Sequence, residues 1–169
     1  MPAKSAGLLL FRLGDGGLEL LIAHPGGPLW ARKDDGAWSI IKGEYEQGED
    51  ALSAARREFE EETGAAAPGA ELPAIALGEV RQPGGKRILA WAIESDFDAE
   101  AVTSNTFTLE WPRSSGRVRE FPEIDRASWF DAATAKRKLL AGQLPFIERL
   151  EQHLAAERGR RPQRTSVAP

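Results

Sequence analysis

The chain of 169 residues has no cysteine, two histidines, one methionine and one tyrosine. Without thiols, neither a disulfide framework nor a thiolate metal centre is available to it. No apolar run reaches the length of a bilayer span, and the opening MPAKSAGLLLFRL lacks the layout of a signal peptide. A soluble cytoplasmic protein with no membrane partner is therefore expected. Excess positive charge is missing too: 22 Lys and Arg stand against 26 Asp and Glu, a net charge of -4. That balance gives no footprint for nonspecific nucleic-acid binding. No internal repeat is visible. The 41% of hydrophobic residues suffices for one domain with a real core.

The informative stretch runs from Trp38 to Ala65, WSIIKGEYEQGEDALSAARREFEEETGA. Trp38 to Ile41 reads as a short strand, Gly43 to Gly48 as a polar loop, and the remainder as a helix of about four turns. Asp50 is a suitable N-cap, and Gly64 suits the left-handed C-terminal position. At about 100° per residue, Glu58, Glu61 and Glu62 share one narrow arc, while Leu52, Ala55 and Phe59 form the adjacent, core-facing one. Three neighbouring carboxylates repel by a few tenths of a kcal/mol per pair at a surface, and they crowd the helix end where the macrodipole disfavours negative charge. Two readings follow: a solvated acidic face partly neutralised by Arg56 and Arg57, or a cage for a cation. Hard oxygen ligands without neighbouring Cys or His point to Mg²⁺ or Mn²⁺ rather than zinc.

Gly43, five residues, Glu49, seven residues, then Arg57-Glu58-Phe59-Glu60-Glu61-Glu62-Thr63-Gly64-Ala65 resembles the Nudix hydrolase signature, G-x5-E-x7-R-E-U-x-E-E-x-G-U with U a bulky apolar residue. Phe59 serves as the first U; Ala65 is smaller than usual at the second. The approach WSIIKGE and the later FPEIDRASWF are similar to the diadenosine-polyphosphate-hydrolase-like branch of that family, with Ile41 where proline is common. The resemblance covers roughly residues 5 to 155. It implies an α/β fold, a mixed sheet sandwiched between helices in a single domain, over residues 1–156.

Elsewhere, Ser5 to Leu13 and Leu18 to His24 read as a central hairpin, and Ala74 to Gln82 with Arg87 to Glu94 as another. Asn105 to Trp111 alternates weakly, Pro112 to Gly116 is a polar turn, and Glu120 to Asp125 is extended. Asp131 caps a helix through Leu140, and Pro145 opens a last helix to about Ala156. Residues 157–169 read as a disordered basic tail. His24 is read as a packing residue at a strand end rather than a catalyst. Trp30 is open between an ordinary half-buried aromatic and a base-stacking platform.

The resemblance implies hydrolysis of a phosphoanhydride, with metal held by Glu58, Glu61, Glu62 and a backbone carbonyl near Gly43. Glu58 is the first choice as base on the attacking water, and Arg57 could orient it by pairing with Glu49 or Glu58. Family members often recruit a further acid from a later loop; Glu123 and Glu120 are candidates, with Glu110 behind them, and Glu123 could equally support the turn before Trp129. Lys42 beside the metal loop could meet a phosphate as a point charge. Arg32, Lys33, Arg81, Lys86 and Arg87 are further phosphate-contact candidates. The expected substrate partner is a nucleotide or nucleoside polyphosphate, dinucleoside polyphosphates before (deoxy)nucleoside triphosphates. The alternative is a nucleotide-binding regulatory module without turnover. The oligomeric state stays open, a homodimer being one option.

Overall fold

The computed structural model describes residues 3–160. Strands β1 (Lys4–Gly14) and β2 (Gly17–Pro25) form the expected hairpin, closing at the Gly14–Gly17 pair. Both are long and apolar because β1 lies in the middle of a six-stranded sheet. One edge of β1 runs parallel to β5 (Arg87–Glu94) along the whole length from Lys4 to Phe11. The other edge is shared: β3 (Ile41–Glu44) lies antiparallel to Ser5–Leu8, and β2 to Phe11–Gly14. Beyond these, β4 (Ala74–Arg81) pairs with β5, and β8 (Ile124–Asp131) with β2.

Period-two alternation sends the strands' apolar side chains to two cores. Leu9 and Phe11 of β1 and Leu20 and Ile22 of β2 meet Ala135 of α2 (Ala132–Lys138) and Phe146, Ile147 and Leu150 of α3 (Leu144–Arg160). Ala6, Leu8 and Leu10 of β1 and Leu21 of β2 meet Ala54, Ala55 and Phe59 of α1 (Ala51–Thr63) on the opposite face. The sheet is thus sandwiched between helices, as expected. Complete burial of Phe59 is worth about 1.5–3 kcal/mol and presses α1 onto the sheet. No helix of the described residues is long and apolar enough to cross a membrane.

Three expectations need correction. Trp38 to Ile41 is not the strand: Trp38 and Ser39 make only isolated bridges, and the ladder begins at Ile41 and runs through Gly43 to Glu44. The reason is that the end of α2 takes up the Trp38 backbone, with Trp38 N donating to Lys138 O (2.9 Å) and Leu140 N to Trp38 O (2.8 Å). The segment around residues 105–125 contains a second, separate hairpin, β6 (Thr106–Glu110) with β7 (Val118–Pro122). Its Phe107–Phe121 cross-strand pair (6.0 Å between ring centroids) supplies apolar contact that the exposed alternation did not advertise. Finally, α3 continues through Arg160, so residues 157–160 of the expected tail are helical, and the rest of that tail lies outside the described residues.

Candidate active site

Between the diverging ends of β2 and β3 opens a cleft of about 350 Å³. Its floor is main chain and small side chain, Ala23 and Ser39 to Ile41, tied by reciprocal bonds between Ala23 and Ser39 (2.8 and 2.9 Å). Gln143, fully buried just before α3, fixes that floor: its Oε1 accepts from Ile40 N (2.9 Å) and its Nε2 donates to Ser39 Oγ (3.0 Å). The walls carry charge of both signs, with Lys42, Glu44, Glu58, Glu62, Lys86 and Glu123.

Helix α1 delivers the acids in a fixed register. Asp50 accepts from Ser53 N (3.0 Å) at its start, and Gly64 ends it at φ 72°, with its N–H on Glu60 O. Glu58 points inward and is 7% exposed. It lies across the β3 backbone so closely that a Cβ at Gly43 would stand 1.8 Å from Glu58 Oε2. Only glycine permits that approach. Arg57 sits at the junction of three carboxylates: Nε donates to Glu49 Oε1 (2.9 Å), Nη1 to Glu58 Oε1 (2.8 Å) and to both oxygens of Glu61 (3.2 Å). These bonds, that to Glu49 above all, raise the guanidinium pKa and lower that of Glu49.

The electrostatics of the cleft are those of charges held close in partial burial. Desolvation, then repulsion from Glu123 and Glu58, pushes Glu62 up to about 7, with Lys42 opposing. Desolvation also raises Glu58, against the pull of Arg57. Lys42 is lowered to about 8 by desolvation and by Lys86, while Glu62, Glu44 and Glu123 hold it up. A carboxyl near neutrality beside other acids is a site that a cation would relieve.

The donor chemistry suits a hard divalent ion: the carboxylates of Glu58 and Glu62 and the backbone at Gly43 line the cleft, while Glu61, one turn along the same helix from Glu58, lies outside its lining on Arg57. In the arrangement seen, Glu58 and Glu61 are turned onto Arg57, and among the described residues no three acidic or imidazole groups are gathered closely enough to hold an ion. An ion held by both carboxylates would compete with Arg57 for Glu58 Oε1 and for the oxygens of Glu61.

The structure separates the other candidates. Of the later acids, only Glu123 lines the cleft. Glu120 is bonded to Thr106 on the hairpin, and Glu110 accepts from Gly116 N (2.9 Å) in its turn. Glu123 is carried by a main-chain clamp, its N donating to Asn105 O (2.7 Å) and its O accepting from Gly26 N (3.0 Å). Lys42 lines the cleft; Arg32 and Arg81 do not. Arg32 is exposed in the loop after β2 and Arg81 at the end of β4, and the β4–β5 turn sends Lys86 to the cleft instead. Trp30 packs partly on the core under Lys33 (4.9 Å from its ring centroid) and borders a smaller pocket beside the cleft. His24 is fully buried, with Nε2 donating to Lys33 O (2.6 Å) and Nδ1 2.9 Å from Asp125, which ties the loop after β2 to the start of β8. Sequence reasoning missed the Gln143 brace and the β6–β7 hairpin. The only advance signal for the latter was the polar turn between two extended segments.

A family model described as NUDIX domain matches residues 1–150. Among solved structures, a C. elegans Ap4A hydrolase in a binary complex superposes with a TM-score of 0.63 at 19% identity, covering 90% of this chain and 98% of that one. The NUDIX domain of Shewanella oneidensis NrtR, complexed with ADP ribose, gives 0.57 at 15% identity, covering 91% and 89%. At such identities the likeness is one of fold. An octanoyltransferase from Myxococcus xanthus is 34% identical over 107 residues, an alignment that takes in 62% of this chain and 25% of that protein's length.

Proposed function

Because this chain belongs to the NUDIX domain family, we propose that it hydrolyses phosphorus-containing acid anhydrides and that its substrates are nucleoside diphosphates linked to a further moiety. Dinucleoside polyphosphates come first and (deoxy)nucleoside triphosphates second. The observation that carries the reading is the meeting of Glu58, Glu62 and Glu123 with Lys42 and Lys86 in one cleft. Acids alone would repel a polyphosphate, and lysines alone would bind it without activating water.

Glu58, Glu61 and Glu62, with the Gly43 carbonyl, would hold Mg²⁺ or Mn²⁺. That ion supplies polarisation of the phosphoryl oxygens and a lowered pKa of bound water. Lys42 and Lys86 neutralise the remaining phosphate charge. Glu58 takes the proton of the attacking water, and Arg57 holds its carboxylate in place until substrate arrives. Glu123, opposite Glu62, is the second acid. The Ap4A hydrolase and ADP-ribose complexes among the structural neighbours support a substrate of this class.

A panel of dinucleoside polyphosphates, nucleoside triphosphates and nucleoside diphosphate sugars, hydrolysed in ¹⁸O water with products identified by mass spectrometry, tests the reading. Incorporation of label into a nucleotide product is expected. Tight nucleotide binding with no cleavage of any member, with Mg²⁺ or Mn²⁺, would instead make this a silent binding module. Glu58→Gln and Glu61→Gln are each expected to lower kcat by about 10²–10⁴-fold while leaving the Tm of the metal-free protein nearly unchanged. Parent-like turnover by both variants would remove these residues from the chemistry.

A further inference from the structure

Beside the charged cleft lies a smaller pocket of about 160 Å³, bordered by Pro25, Gly27, Trp30, Phe107, Leu109 and Glu123. Pro25 and Glu123 line both cavities, so the two are neighbours with a shared wall. We propose that this annex receives the planar, uncharged ring of the substrate, a nucleobase, while the phosphates occupy the cleft, and that Phe107 on the β6–β7 hairpin selects for it. The proposal rests on the phosphoanhydride reading above for the occupant of the cleft.

The assignment follows from what the annex offers and withholds. No lysine or arginine lines it, and its one ionisable group, Glu123, would repel a phosphate. Hydroxyl-rich groups are poorly served as well, because burying them against proline, leucine and phenylalanine leaves hydrogen bonds unmade. Its volume falls below the about 300–1,000 Å³ of pockets that enclose whole ligands. It suits one ring system rather than a complete nucleotide. A flat ring against Phe107 gains contact at little entropic cost, and base–aromatic stacking tolerates any base.

The hairpin is held where this requires. A Cβ at Gly27 would come within 2.8 Å of Phe107 Cζ, and one at Gly26 within 2.0 Å of Pro122 O, so the two glycines let the loop after β2 close directly onto the hairpin. Gly26 N donates to Glu123 O and Glu123 N donates to Asn105 O, so both main-chain groups of Glu123 are tied. The second acid of the cleft and the wall of the annex are therefore parts of one clamped unit. A ring seated in the annex sits next to the residue that faces Glu62.

Calorimetric titration of the full chain with AMP, UMP and ribose 5-phosphate, alongside the substrate panel, tests this. Phe107→Ala is expected to weaken AMP and UMP about 5- to 100-fold, the range of a lost base stack, and to leave ribose 5-phosphate unchanged. Leu109→Trp, which fills the annex without removing hairpin packing, is expected to do the same, and Phe107→Tyr to behave as the parent. Equal loss for all three ligands, no loss for the nucleotides, or no nucleotide binding by the parent overturns the annex. Panel turnover that ignores Phe107 would sink this inference and leave the hydrolase reading standing. Phe107-dependent nucleotide binding without turnover would do the reverse.

Discussion

Gly43 and Glu58 occupy space that only one of them can fill with a side chain. The Cβ that Gly43→Ala introduces would fall on the Glu58 carboxylate, and since the contact is with the functional end of that side chain, relief comes by displacing it. Gly43→Ala is expected to cut kcat by at least about 10²-fold, comparable with loss of a general base, which steady-state kinetics with circular dichroism as a folding control would check. Glu62 gives a second residue-level prediction, in pH. Its carboxyl is raised from an ordinary 4.5 to about 7 in the folded, metal-free protein. The native state then holds a proton that the unfolded chain has released. This contribution to stability is complete below about pH 4.5 and is lost as pH rises through about 7. In EDTA the Tm is expected to fall between about pH 5 and about pH 7.5, with a shallower slope in Glu62→Gln. An identical slope in the variant would remove Glu62 as the cause.

At the level of elements, the site depends on a contact between residues 103 positions apart in the sequence. Gln143, itself buried, accepts from Ile40 N, and among the described residues no other acceptor meets that donor. Gln143→Leu keeps the volume and strands the amide, so a loss of about 1–3 kcal/mol is expected in denaturant unfolding. Helix α1 is different, since its determinants are local: Asp50, Gly64 and the spacing of Glu58, Glu61 and Glu62 all sit within it. That is why the helix and its acidic arc were legible in the sequence to within a residue. Which acid turns inward was not, because Glu58 owes its burial to the β3 backbone at Gly43. Strand β3 was placed three residues early for a related reason: Trp38 looks like a strand residue, yet α2 claims its peptide groups. Lys86 could not be told from Arg81 because the β4–β5 turn, not charge, decides which cation faces the cleft. The β6–β7 hairpin escaped pairing because its outer residues, such as Val118 at 69% exposure, give no core-facing period.

Over the whole molecule, the cleft is shared between the six-stranded sheet and the segment that leaves the two-stranded one. The six-stranded sheet, buried on both faces, carries Gly43, Lys42 and the floor of the cleft. The two-stranded hairpin is held by the main-chain bonds at Glu123 and by the close approach of Gly26 and Gly27 to Pro122 and Phe107, all at the end away from its turn, residues 111–117. Residues at the tip, Arg113 to Gly116, are exposed. A short peptide spliced between Ser114 and Ser115 is therefore expected to leave Tm and turnover as they were, measurable by calorimetry and a single-substrate assay. The same geometry makes the tip a convenient handle: a tether attached there would anchor the protein to a surface and leave the residues of the cleft untouched.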